Sequence, residues 1–178
     1  MRKLALLIFA IALVSVSANA QNTFQKGTNT LKLGLGFNSN GKPITLAFER
    51  GIKNDVFGVE KLNLGIGVYL GYFGYNNSVT NYGTTVKTNI NTIAPGLSSY
   101  LHYELIEKLD AYVGLSLGAS AQISKVSGDN VDISPEYKVK FAWGLAGGLR
   151  YEITPKWGAF IEGGKGTGSV TLGAAYKF

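Results

Sequence analysis

The period of two along the final stretch, Gly168 to Phe178, limits this chain more than any other feature. Val170, Leu172, Ala174, Tyr176 and Phe178 fall on one face, with Ser169, Thr171, Gly173, Ala175 and Lys177 on the other. That is the alternation of a strand with one apolar side. Termini ordinarily fray into water, so an apolar strand running to an aromatic last residue points to an end locked into a sheet.

The same alternation recurs upstream. Leu31, Leu33, Leu35 and Phe37 oppose Lys32, Gly34 and Gly36. A turn over 38–43, with the hairpin pair Asn40-Gly41, leads to Ile44, Leu46 and Phe48 against Thr45, Ala47 and Glu49. A connection over 53–61 follows. The clearest strand sets Leu62, Leu64, Ile66, Val68, Leu70 and Tyr72 against Asn63, Gly65, Gly67, Tyr69 and Gly71. Next, Ile93, Leu97, Leu101 and Tyr103 oppose Ala94, Gly96, Ser98, Tyr100 and His102. Pro95 within that strand predicts a bulge, because proline removes a ladder donor. Beyond a tight link at 105–109, Val113, Leu115 and Leu117 oppose Tyr112, Gly114 and Ser116. Val139, Phe141, Trp143 and Leu145 then oppose Lys138, Lys140, Ala142 and Gly144. After the turn Thr154-Pro155-Lys156, Trp157, Ala159 and Ile161 oppose Phe160 and Glu162. The polar stretches 76–87 and 125–136 read as long loops. The sum is about eight strands, most of about 9–12 residues, the length that crosses a bilayer at a tilt.

Arg2 and Lys3 precede an apolar run from Leu4 to Val16, and Ala18-Asn19-Ala20 follows as a small-x-small cleavage site. Residues 1–20 are therefore expected to be a signal peptide and 21–178 the barrel domain. The apolar core is shorter than the roughly 20 residues a membrane-spanning helix needs. Gln21 to Gly27 reads as a polar lead-in. Losing Arg2 and Lys3 would lower the net charge from +6 to +4. The remaining excess is spread over strands, which argues against a nucleic-acid partner. The absence of cysteine excludes disulfides and thiolate metal sites. The 24 glycines and 10 tyrosines suit tight turns and strands.

The face opposite the apolar one separates a soluble barrel from a membrane barrel. It is mostly Gly, Ala and Ser with a few charges, which suits a narrow interior, whereas Leu, Ile, Val and aromatics suit a lipid-facing surface. Tyr100, Tyr103, Tyr112, Tyr151, Trp157, Tyr176 and Phe178 lie near the tight turns; Tyr69, Tyr72, Phe73, Tyr75 and Tyr137 lie near the long loops. They read as two interfacial girdles, a lumenal position staying open for some of them. Closure would remove sheet edges, whose unpaired groups cost several kcal/mol each in hydrocarbon. The expected fold is all-β, a closed antiparallel up-and-down transmembrane β-barrel of about eight strands.

Leader, period, girdles and the closing pair Tyr176 and Phe178 together resemble the small eight-stranded bacterial outer-membrane β-barrel family. The resemblance implies an outer-membrane location and lipid as the immediate partner. It also implies assembly by the barrel-assembly machinery through the C-terminal strand. The sequence leaves the oligomeric state open, with a monomer favoured. With both termini on the periplasmic side, the stretches 76–87 and 125–136 would face outside and meet any extracellular partner. Tyr82, Lys87, Lys125 and Asp129 are the contact candidates there.

Five inward charges, Glu49, Arg150, Glu152, Glu162 and Lys177, are of mixed sign and predict salt bridges that plug the lumen; the other reading is a gated path for small solutes. His102 is the only histidine. Ser98, four residues away on the same strand, would stand about 13 Å off, beyond the reach of a nucleophile and its base. Asp129, Asp132 and Glu136 lack the spacing of a calcium loop, and the run 163–168 lacks the order of a phosphate loop. No catalytic residue, metal or cofactor is expected. The expected role is a plugged integral barrel acting through its outer loops in surface interaction. The alternatives are a narrow porin-like channel, or a soluble periplasmic ligand-binding barrel with its Leu, Ile and Val face turned inward.

Overall fold

The computed structural model describes residues 23–37, 41–81, 84–128, 131–165 and 169–178. The alternating stretches form β1 (Asn29–Phe37), β2 (Ile44–Lys53), β3 (Leu62–Asn81), β4 (Thr84–Ile106), β5 (Leu109–Gly128), β6 (Val131–Glu152), β7 (Trp157–Lys165) and β8 (Val170–Lys177). Each pairs antiparallel with the next, and β8 pairs with β1 from Thr30–Lys177 to Phe37–Val170, closing the barrel. The last strand thus has neighbours on both sides, which accounts for its apolar face running to the terminus. The β2–β3 link contains one 3-10 turn, Val56–Gly58, with Val56 buried.

The faces fall as the alternation requires. Leu31, Leu33, Leu35, Ile66, Val68, Leu70, Leu115, Leu117, Leu145 and Leu172 are exposed on the outside, while Lys32, Glu49, His102, Tyr112 and Arg150 are buried within. A soluble ligand-binding barrel needs the opposite orientation, so that alternative is overturned.

Strand length departs from expectation. β1, β2, β7 and β8 have 9, 10, 9 and 8 residues, but β3, β4, β5 and β6 have 20, 23, 20 and 22. The stretches 76–87 and 125–136 are mostly strand. Asn76 pairs with Asn89, Val79 with Val86, and Thr80 with Thr85, whose hydroxyls are 3.0 Å apart. Backbone pairing with β-branched cross-strand partners sustains a ladder without an apolar face, so polarity alone misreads these residues as loop. The result is a four-stranded sheet, β3 to β6, projecting beyond the ring.

Pro95 makes no bulge. The β4–β5 partners lapse at Ala94 and Pro95 and resume at Gly96–Gly118 in the register set by Ile93–Ala121. The irregularities lie instead at Gly51/Lys53, Glu104/Ile106 and Ser124/Val126.

The aromatic girdles also need revision, because Tyr69, Tyr100 and Tyr112 point into the lumen. Each stands directly across the ladder from a glycine: Tyr69 from Gly96, Tyr100 from Gly114, Tyr112 from Gly148. Phe160 opposes Gly173 in the same way. A Cβ at Gly148 would stand 2.6 Å from the Tyr112 ring, and one at Gly114 would collide with Tyr100. Large ring and bare backbone fill the narrow bore together. Tyr72, Tyr103, Tyr137, Trp157 and Phe178 do face outward and are exposed.

Candidate functional site

Inward parity brings charged side chains from separate strands to one end of the bore. Lys32 on β1, Glu49 on β2, His102 on β4, Asp110 on β5 and Arg150 on β6 are all buried. Charges taken out of water must be paired, and these are. Lys32 Nζ lies 3.5 Å from Glu49 Oε2, and Glu49 Oε1 is 2.5 Å from His102 Nε2. His102 Nδ1 lies 2.7 Å from Asp110 Oδ2, which accepts a hydrogen bond from Arg150 Nη2 at 2.8 Å. With one carboxylate at each ring nitrogen, the imidazole links Glu49 to Asp110. Since carboxylates occupy both ring nitrogens, the geometry is that of a structural bridge between strands.

The segment before β1 completes this end. Within the polar lead-in, Thr23 and Phe24 are buried, each 1% exposed, while Gln25, Lys26 and Gly27 are exposed. The Phe24 ring stacks on His102 at 4.0 Å between centroids, with the Arg150 guanidinium 5.2 Å from its centre. Thr23 donates from its backbone and hydroxyl to Glu104 Oε2, both at 3.0 Å, and Asn63 Nδ2 donates to the Phe24 carbonyl at 2.6 Å. Gly65 makes this possible, since a Cβ there would collide with the Glu49 carboxylate and stand 2.8 Å from the Phe24 ring.

Of the five charges expected to share the lumen, Glu49 and Arg150 belong to this chain of contacts, joined through His102 and Asp110. Glu152 and Lys177 form a separate pair at 2.7 Å. Glu162 belongs to neither; it lines a cavity farther along the bore together with Lys32 and Tyr100. Sequence reasoning missed Asp110 and Phe24 and left His102 without a role. Asp110 shares the inward parity of Tyr112, a signal present in the alternation. Phe24 lies outside any strand and carries no such signal.

At the other end, Lys87 and Lys125 are exposed on the projecting sheet, opposite Ser78 and Asn89. Tyr82 and Asp129 lie outside the described residues, as does the leader, 1–20. Beyond Ile44–Tyr72, β3 has no further ladder partner in β2, and beyond Leu145–Lys165, β6 has none in β7, among the described residues. Gly41 lies against Phe73 and Gly74; past that point, and along Val131–Gly144 on the side of β7, the sheet has no ladder partner among the described residues. On β6, Tyr137, Val139 and Phe141 are 72–75% exposed. Tyr176 and Phe178 sit at the opposite end, where Tyr176 packs with Trp157 at 4.8 Å and the Phe178 amide donates to the Asn29 carbonyl at 3.0 Å.

No protein-family model matches the chain, and no curated protein matches it in sequence. Several solved structures are similar. One is Ail, the attachment invasion locus protein of Yersinia pestis, in complex with the heparin analogue sucrose octasulfate, with a TM-score of 0.51 and 17% identity over 86% of this chain and 100% of that one. Another is the N-terminal β-barrel domain of Pseudomonas aeruginosa OprF, with a TM-score of 0.47 and 15% identity over 86% and 98%. A product of de novo design of transmembrane β-barrels gives a TM-score of 0.49 and 16% identity, over 86% and 98%. The likeness to Ail shows the fold: this chain has the architecture of the small eight-stranded outer-membrane barrels.

Proposed function

We propose that the chain is an integral outer-membrane protein that acts as a surface-interaction module through the β3–β6 sheet, its lumen closed at the base. In this reading residues 1–20 are a removed signal peptide and 21–178 the barrel domain. Tyr176 and Phe178 on the closing strand are read by the barrel-assembly machinery, lipid covers the apolar belt, and the barrel is a monomer. It performs no catalysis and takes no cofactor.

The observation that carries this reading is the projecting sheet, whose two outer edges have no ladder partner among the described residues. An edge offers a row of backbone donors and acceptors, so an extended polypeptide can add to it as a further strand. Ail, the neighbour solved with a heparin analogue, lends the general idea of a surface-binding barrel. The chemistry here points to an extended segment of protein, with Lys87 and Lys125 flanking its docking. The channel alternative is disfavoured because Phe24, His102 and the paired charges fill the base. Panning a displayed library of extended peptides on the nanodisc-embedded barrel tests the reading. Enrichment should vanish when the two hairpins are shortened to the rim or when Tyr75→Pro breaks the β3 edge. Equal enrichment on the shortened barrel would refute it.

A further inference from the structure

Beyond the filled base, the bore opens into a vestibule of about 270 Å³ whose lining includes Phe73, Trp143 and Lys165. Lys32, Glu162, Tyr69, Tyr100 and Phe160 also line it. Two charges in this lining are incompletely answered. Lys32 is buried, yet its ammonium makes no hydrogen bond among the described residues, and the nearby Glu49 Oε2 makes none either. The ammonium sits instead 4.0 Å from the centre of the Tyr100 ring, 5.0 Å from Tyr112 and 5.9 Å from Phe160. Ring faces attract the charge, and the Glu49 carboxylate at 3.5 Å pairs with it, but none of its three N–H donors makes a hydrogen bond among the described residues. Glu162 joins none of the ion pairs formed by the described lumenal charges. The Thr45 hydroxyl, also in the lining, has no hydrogen-bond partner among the described residues.

We propose that this vestibule binds a small zwitterionic solute of the amino-acid type. Its carboxylate would meet Lys32, its ammonium Glu162, and an apolar or aromatic side chain would lie against Tyr69, Tyr100 and Phe160. The charges select among classes. A simple anion meets the Glu162 carboxylate, a simple cation meets Lys32 and Lys165, and a neutral molecule leaves the Lys32 N–H donors and the Glu162 carboxylate without a charged hydrogen-bond partner. Only a ligand of both signs answers both. The volume lies just below the roughly 300–1,000 Å³ of drug-sized pockets, which sets the occupant's scale. The site goes beyond the surface-interaction reading and does not depend on it.

The test is calorimetric titration of the full barrel in nanodiscs with L-phenylalanine, phenylalaninamide (cation only) and N-acetyl-L-phenylalanine (anion only). Phenylalanine should bind saturably and at least about ten-fold more tightly than either blocked form, the scale of one charged hydrogen bond. Lys32→Met should weaken phenylalanine by a similar factor. Glu162→Gln should weaken it too, while improving N-acetylphenylalanine relative to it. Should Lys32→Met fail to fold, Glu162→Gln decides alone, because that side chain is only half-buried. No saturable heat, equal affinity for the anion, or an unchanged ligand ranking in Glu162→Gln would overturn the proposal.

Discussion

The two ends of this barrel are built from strands of one alternating pattern and solve opposite problems. At the base, charges are buried and each finds a partner on another strand. On the projecting sheet the charges stay wet, as in the Lys138–Glu136 pair, whose side chains are 52% and 61% exposed. Desolvation makes the difference. A buried charge stripped of its partner is costly, whereas an exposed pair gives back to water almost what it gains. The base therefore holds the fold, and the charges of the sheet contribute little to it.

The sharpest way to break this contrast is His102→Ala. It leaves Glu49 and Asp110 facing each other across an emptied bridge. A loss of about 3–5 kcal/mol is expected, read by urea unfolding in lipid with the gel mobility of unboiled samples. Phe24→Ala comes next, at about 3 kcal/mol or more for a buried aromatic, and it should loosen the segment before β1 in amide hydrogen exchange. Gly114→Ala sets a methyl against the Tyr100 ring and should cost about 1–3 kcal/mol through overpacking. The smallest effect belongs to the sheet: Lys138→Ala should change stability by less than about 1 kcal/mol. If Lys138→Ala matched His102→Ala, the contrast between a structural base and a solvated sheet would fail.

Much of this architecture was legible in the alternation, because parity assigns every strand residue to the lumen or the outside. Glu49, Arg150 and Lys32 were placed inward correctly on that rule alone. What parity cannot supply is height along the bore. Glu162 was grouped with Glu49 and Arg150 for that reason, although it lines the vestibule. Height depends on the stagger between strands, which is written in the pairing of Glu49 with Gly67 and of Arg150 with Phe160. His102 was judged by its neighbours along its own strand, yet its partners come from β2 and β5. The strand extensions at 76–81 and 84–87 hid because a sheet wet on both faces has no apolar period. Phe24 hid because it fills the bore from a segment outside the sheet.

The central claim is that the base is closed by Phe24 and the charges around His102. Single-channel conductance of the barrel in a planar bilayer tests it most directly. A folded wild-type protein without current steps is expected, with steps appearing once Phe24→Ala removes the ring from the bore. Steady steps from the wild type, unchanged by Phe24→Ala or by Arg150→Ala, would contradict a closed base and make the barrel a channel.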